Sequence, residues 1–333
     1  MKNSLLKICF VAFLSLTACE TETEKPPGES PADPLSELIA AGEVSGALNP
    51  FPLVENPSYR PVHEIDFMQD DELVFISKSC GFIIVYPVRS MYVEVVNEAQ
   101  NGVFMAVTYC PITRSGISIN RIQERDTLLL TASGYLFREN LLPLDLHSGS
   151  LLSQMQLKGI SGSHQAKQLE TFPLIETTWG TVREHFPSAI IYIVDGFRKS
   201  REKAPKSTGH VPQYEQPYGI LGRSGVELFR LDMFPGEIRL ISTTAQPGGK
   251  IIVAGSSKHH FVVAFQTSYK MEAVEGQFPV IMKDEEGSLW NIFGEAVVGT
   301  RGGEKLQAPF AYTAADWAWK AHFDQVRYYT NSP

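Results

Sequence analysis

The run Val107-Thr108-Tyr109-Cys110-Pro111-Ile112-Thr113 sets a lone thiol between a predicted strand and a proline-forced turn, in a chain of 333 residues with 4 cysteines. A cysteine at a strand end, held by a turn, is expected to be presented to solvent. A presented thiolate can attack a disulfide, a peroxide or an activated carbonyl, or bind a soft metal. Pro111 removes a ladder donor and holds the turn, and the hydroxyls of Tyr109 and Thr113 can address an anion or a bound oxygen. Against this stands the commonest fate of a lone cysteine, burial as a small apolar side chain. Cys80 leaves three alternatives open: a structural disulfide with Cys110, a redox pair in which it is the resolving thiol, or no connection. Either pairing requires the two Cα atoms to lie within about 7 Å.

Other groups with chemical potential are weaker. His259-His260 has metal-ligating nitrogens, but adjacent strand residues point to opposite faces, and neither a metal site nor a cofactor is predicted. His185 and His322 end two equivalent short helices, where packing or the helix dipole accounts for them. Trp179, Trp317 and Trp319 are expected to anchor those helices to a sheet. Cys-x-x-Cys, Gly-x-Ser-x-Gly, P-loop and His-Glu-x-x-His patterns do not occur, which leaves isomerase, α/β-hydrolase, NTPase and zincin readings without support.

The N-terminal segment carries an address. Lys2 and Lys7 flank the start of the apolar run Ile8 to Leu16, followed by Leu16-Thr17-Ala18-Cys19. A basic start, a short apolar core and small residues before the cleavage point describe a secretory signal, too short to span a bilayer. Cys19 after small residues is the bacterial lipobox arrangement, so residues 1–18 are read as a lipoprotein signal and Cys19 as the lipidated residue. Each buried methylene of an acyl chain contributes about 0.8 kcal/mol to anchoring. Residues 19–34, with Glu20, Glu22 and Glu24 followed by five Pro or Gly residues, read as an acidic tether. The expected location is the cell envelope, on the outer membrane, facing either the periplasm or the surface.

The whole chain has a formal charge of −8, and loss of Lys2 and Lys7 takes it to −10. An acidic surface without a basic run argues against nucleic acid as a partner. The expected partners are the membrane, through Cys19, and an unidentified small molecule or protein. The basic stretch around Arg198-Lys199-Ser200-Arg201 is read as a linker over residues 198–213.

That linker separates two similar segments. Gly149-Ser150-Leu151-Leu152-Ser153 recurs as Gly287-Ser288-Leu289-Trp290-Asn291, Trp179 as Trp317, and His185-Phe186 as His322-Phe323. Upstream, Gly102 to Val107 parallels Gly249 to Ala254, and Gly81 to Ile84 parallels Gly225 to Leu228. A tandem duplication follows, with copies at residues 35–197 and 214–333. Each copy is rich in short β-branched or aromatic runs, such as Leu73 to Ile76, Phe82 to Tyr86, Tyr92 to Val96, Val103 to Tyr109 and Leu128 to Thr131, separated by turn residues. These runs predict strands buried on both faces. One helix per copy is expected, Trp179 to His185 capped by Thr178, and Trp317 to Phe323 started by Thr313 and Asp316. A further helix from Leu35 to Gly42 would use Asp33 as cap and Pro34 at its first position. The fold class is mainly β (α+β): two tandem β-rich domains, each with a short helix, packed about a pseudo-twofold.

Several of these pieces, in order, resemble the DUF3179 family: Asn49 to Pro57, Tyr86-Pro87-Val88-Arg89, Glu94-Val95-Val96-Asn97-Glu98 and Val107 to Thr113. Ser133-Gly134-Tyr135-Leu136, Asp145 with Gly149-Ser150-Leu151, and Trp179 with His185-Phe186-Pro187 complete the set. The resemblance runs from about residue 49 to 195, with a degraded echo in the second half. It implies a site more than a reaction, because the family has no established activity. Some relatives resemble selenoproteins at the position of Cys110, which implies a redox or nucleophilic chalcogen there. This chain departs from the pattern at Val93, where relatives have histidine, and at Leu152, where they have tryptophan. On this reading Cys110 is the reactive centre and Arg89 the cation that replaces the missing histidine, with Glu94 tuning the thiol. Tyr109, Thr113, Asn97 and Ser133 would bind substrate. Two functions are therefore expected as alternatives: a thiol-dependent redox or nucleophilic enzyme, or a non-catalytic envelope lipoprotein that binds a ligand or partner between its two copies.

Overall fold

The computed structural model describes residues 33–79, 81–193, 216–223, 225–244 and 249–330. The signal segment, Cys19, most of the tether, Cys80 and the basic linker lie outside the described residues. The chain is mainly β, with several sheets and few helices. In the first half the strands are β1 (Val44–Gly46), β2 (Tyr59–Pro61), β3 (Leu73–Ser79), β4 (Phe82–Pro87), β5 (Val95–Gln100), β6 (Val103–Cys110) and β7 (Ser115–Asn120). They continue with β8 (Ile122–Gln123), β9 (Asp126–Thr127), β10 (Leu130–Phe137), β11 (Asn140–Asp145), β12 (Leu152–Ser153), β13 (Lys158–Gly159), β14 (Thr171–Phe172), β15 (Ile175–Thr178) and β16 (Ile190–Tyr192). The second half holds β17 (Tyr218–Gly222), β18 (Gly225–Phe229), β19 (Arg239–Thr243), β20 (Ile251–Ser256), β21 (Phe261–Gln266) and β22 (Glu272–Ala273). It ends with β23 (Val280–Lys283), β24 (Leu289–Asn291), β25 (Ala296–Val298), β26 (Ala311–Thr313) and β27 (Val326–Tyr328).

Of the eight sheets described, four position the site. Sheet I has the order β15-β3-β4-β16-β2, and sheet II the order β14-β7-β6-β5. Sheet III is β26-β17-β18-β27 and sheet IV is β19-β20-β21. In sheet I, β15, β3 and β4 are antiparallel and β16 lies parallel to β4. Sheet III repeats this pattern, with β27 parallel to β18. Sheets II and IV are both built on a three-strand meander whose last hairpin closes through four residues, Pro111–Arg114 in one and Ser257–His260 in the other. Arg114 and His260, at matching places in the two turns, both have left-handed backbone, with φ of 53° and 51°.

The apolar runs fill cores on both faces of these sheets, as period-two side-chain alternation requires. Val74 and Ile76 of β3 enter a core shared with Ile252, Ala254, Phe261 and Val263 of sheet IV. Phe75, between them, enters the core shared by sheets I and II. Ala106 and Cys110 of β6 face Val226, Leu228 and Tyr312 of sheet III, whereas Met105 and Val107 face sheet I. A fourth core joins sheets III and IV through Phe229, Ile220, Val253 and Ala264. A fifth, of Val44, Phe137, Leu142 and Leu151, lies in the first half, so among the described residues three cores lie within a half and two between halves.

Three α-helices are described: α1 (Pro34–Ala40), α2 (Trp179–His185) and α3 (Asp316–His322). Thr178 caps α2, its Oγ1 accepting from the Thr181 N–H at 3.3 Å. Asp33 stands at the N-cap of α1 without a side-chain cap bond. The expected capping by Thr313 and Asp316 does not occur. Thr313 belongs to β26, the helix begins at Asp316 itself, and the N–H of the Ala315 N-cap is held by the Thr113 carbonyl at 2.8 Å. Trp179 and Trp319 are buried anchors, but Trp317 is 45% exposed. The structural counterpart of the anchoring tryptophan in α3 is therefore Trp319, which stacks on Tyr312 at 4.5 Å and covers Gly219, where a side chain would collide with its ring. No described helix is long and apolar enough to cross a membrane.

Candidate functional site

The expectation that Cys110 is presented does not survive. Its residue is 1% exposed, enclosed on the face of β6 that meets sheet III. The physical cause is a turn of the first half held in place by the second. Arg138 and Glu139, in the turn between β10 and β11, are clasped by the end of α3, with Arg138 Nη1 donating to the Ala321 carbonyl at 2.9 Å. The turn closes over the thiol, whose sulfur lies 3.8 Å from the Glu139 carbonyl oxygen. Arg89, named as the cation that would activate it, is paired instead with Glu72 at 3.0 Å. Among the described residues the hydrogen bond of the sulfur goes to the Glu139 backbone carbonyl, not to a charged side chain.

Around this turn the structure assembles a buried polar network that the sequence reading named only through Thr113. Thr113 Oγ1 and Ser115 Oγ are 2.9 Å apart, and Asn140 Nδ2 donates to both, at 2.8 and 3.1 Å. Gln154 Oε1 accepts from Ser115 Oγ at 2.7 Å and from Asn140 at 2.8 Å, while its Nε2 donates to Thr108 Oγ1 at 2.8 Å. All five side chains are fully buried. Such a network fixes one arrangement of the surrounding strands, because each buried polar group left unpaired costs about 1–3 kcal/mol. The signal for Gln154 was its place just after the Gly149-Ser150-Leu151 motif, but a single buried amide has no spacing pattern to reveal it.

The other predicted site residues are dispersed. Asn97 is fully buried, and its amide is saturated: Nδ2 donates to Leu130 O at 2.7 Å and Val54 O at 3.0 Å, and Oδ1 accepts from Leu130 N at 3.0 Å. Ser133 is buried in the irregular part of β10, where its Oγ accepts from the Tyr135 N–H. Glu94 does not share a strand face with Asn97. It precedes β5 in a left-handed conformation (φ 63°), half-buried, and burial lifts its carboxyl to about 7. Tyr109 packs against Phe75 at 5.8 Å, and burial together with nearby Glu176 pushes its hydroxyl up. Glu176 pairs with His260 at 3.5 Å. His259 stacks on Phe278 at 4.2 Å, and burial, then His185, lowers it to about 4. Among the described residues no three His, Cys, Asp or Glu side chains converge as metal ligands.

A second carboxyl is raised as far. Glu98 of β5 accepts from the Tyr86 hydroxyl at 3.0 Å, and burial raises it to about 7. Arg121, also buried, turns to backbone oxygens, donating to Leu128 O at 2.6 Å and Glu98 O at 3.2 Å. This cluster ties sheet I to sheet II.

The open site lies elsewhere. A cleft of about 720 Å³ runs between residues 170–175 of the first half and 305–311 of the second, with β21 along one wall. Phe172, Leu174, Phe310 and Leu306 give it apolar flanks, and Glu170, Lys305 and Gln307 line it with exposed polar groups. A narrow recess beside it is lined by Thr171, Phe172 and Ser118, and the buried Ser118 hydroxyl has no hydrogen-bond partner among the described residues. Neither flanking segment was singled out in the sequence, since their prolines and mixed polarity read as connections.

These features define a mainly β protein with cores shared between its two halves and an open cleft between them. The chain belongs to the DUF3179 family, described as a protein of unknown function, and matches it over residues 49–326. The match extends through the second half, well past the point where the sequence resemblance faded. No curated protein and no solved structure matches the chain.

Proposed function

We propose that this protein is an envelope lipoprotein, anchored through Cys19, that binds a ligand or partner in the cleft between two duplicated halves and performs no thiol chemistry. The cleft carries this reading: it is the open, mixed polar and apolar concavity that both halves build, as binding sites at such junctions are. The duplication is supported by the matched strand orders of sheets I and III, the matched turns of sheets II and IV, and the equivalent helices α2 and α3. Burial of Cys110 and the diversion of Arg89 to Glu72 count against catalysis, since a nucleophilic thiol needs access and a stabilising charge.

A thermal-shift screen of the purified protein with metabolite and peptide collections tests this. Saturable stabilisation that disappears in Ala308→Trp, which fills the cleft, and persists in Cys110→Ser is expected. Binding that ignores Ala308→Trp, or that vanishes with Cys110→Ser in a folded protein, refutes the proposal.

A further inference from the structure

Sheets II and IV treat their outermost strand differently, and the difference falls inside the cleft. In sheet II the outer edge of β7 is covered by the chain itself: β14 pairs with it, Phe172 opposite Ser118 and Thr171 opposite Ile119, and the Asn120 N–H donates to Glu170 O at 2.9 Å. In sheet IV the corresponding strand is β21, and there the matching contact is a single one, Gln266 N–H to Gln307 O at 2.8 Å. Beyond Gln307 the chain continues as Ala308-Pro309-Phe310. Counted from that contact, Pro309 holds the place that Phe172 holds in sheet II. Proline has no N–H to give to a ladder, so the pairing stops.

The groups left over can be named. Thr267 N–H donates inward to Lys250 O, on the β20 side, while Gln266 N–H points outward. Strand alternation then directs the N–H and C=O of Ala264 and Val262 outward as well. The Ala264 N–H faces the Tyr218 hydroxyl. The Val262 N–H and the carbonyls of Val262 and Ala264 have no partner among the described residues, and both residues line the cleft. An unpaired edge of this kind is a template for another strand, and proteins ordinarily blunt or cover it.

We infer that the cleft receives an extended polypeptide segment of a partner protein, which adds as a strand to the Val262–Ala264 edge. This rests on the cleft being the binding site and names its ligand class. The backbone groups supply the register, and the apolar flanks of Phe172, Leu174 and Phe310 receive alternate side chains. The chain's own β14 shows what such an occupant looks like, because it fills the matching edge of sheet II with an extended Thr-Phe pair.

The test uses the full chain and a synthetic peptide copying residues 169–176, Leu-Glu-Thr-Phe-Pro-Leu-Ile-Glu, beside a panel of alternating apolar-polar octapeptides. Binding is read by fluorescence anisotropy and by amide exchange at Val262. Saturable binding that slows Val262 exchange is expected. N-methylation of the paired peptide amide should weaken it about tenfold, the equivalent of one net hydrogen bond. Val262→Pro should abolish binding without unfolding the protein, because the lost N–H points away from β20. Unchanged affinity after N-methylation, or binding by Val262→Pro, overturns the inference. So does failure of every peptide, and two outcomes then separate the readings. If metabolites still stabilise the protein in a manner lost in Ala308→Trp, the cleft stands and only the peptide inference falls. If nothing binds there, both fall.

Discussion

Replacing Asn97 by alanine separates a ligand-binding role from a structural one. The side chain clamps β5 to β10 through two buried hydrogen bonds and to the segment at Val54 through a partly buried one. Its loss does not affect every partner equally. The Val54 carbonyl keeps the Asn97 backbone N–H at 2.9 Å, so it stays satisfied. The N–H and C=O of Leu130, a fully buried residue, lose the side chain that pairs both. Two orphaned buried groups at about 1–3 kcal/mol each give a loss of about 4 kcal/mol. That is a large share of the roughly 5–15 kcal/mol that holds a typical domain folded. Urea unfolding followed by fluorescence should show a lower midpoint with an unchanged slope. Asn97→Asp refines the test: an ionised aspartate can accept from the Leu130 N–H but repels its carbonyl, so this variant should regain stability as pH falls and the acid becomes a donor. A loss below about 1 kcal/mol in Asn97→Ala, with ligand binding abolished, would refute the structural assignment and restore the site role first expected of this residue.

Other expectations concern burial and charge. Glu98 has its folded pKa raised to about 7 by burial, above the usual value near 4.3. The folded state therefore holds a proton that the unfolded chain releases. The Glu98 share of the stability, about 4 kcal/mol, should be lost as pH rises from roughly 4.3 to 7 and level off above that, with Glu94, lifted by burial to about 7 as well, adding a loss in the same window. Glu98→Gln should remove about half of the combined dependence in urea titrations, leaving the part due to Glu94, and an unaltered pH profile would contradict it. Cys110 should resist iodoacetamide in the native protein and react once denaturant is added. Mass spectrometry showing rapid native labelling would overturn the account of its enclosure. Trp319→Ala should cost about 3–5 kcal/mol, as loss of a large buried aromatic does, while Trp317→Ala should change stability by less than about 0.5 kcal/mol. Thermal denaturation distinguishes the two, and equal effects would contradict the assignment of Trp319 as the anchor.

The sheets were legible because they are buried on both faces. Val74, Phe75 and Ile76 form an unbroken apolar run, and each enters a core, which is why a run rather than an alternation marked β3. The cap of α2 was legible because Thr178 acts locally on Thr181. The start of α3 was misread because its N-cap is satisfied from Thr113, about two hundred residues away, and no local pattern carries that contact. Cys110 was misread for the same reason. Its strand end and its proline do suggest exposure, but the cover comes from the Glu139 turn and from α3 behind it. The cleft was legible only as an expectation that two copies leave a groove between them. Its edge depends on Pro309 occupying one position rather than another, a distinction that appears when the two outer strands are set side by side.

The two cores that straddle the halves limit how this chain can be divided or diverge. A fragment ending before Tyr218 would leave bare the apolar side chains of Val74, Ile76 and Ala106, and the complementary fragment would do the same with Ile252, Val263 and Leu228. Each piece made alone should therefore aggregate or cling to chaperones, while the two produced together should find each other and restore a single particle. The same interlocking makes the inward-facing positions of those two cores answerable to neighbours in the other half, so that surface loops away from the cleft are where sequence drift is cheapest.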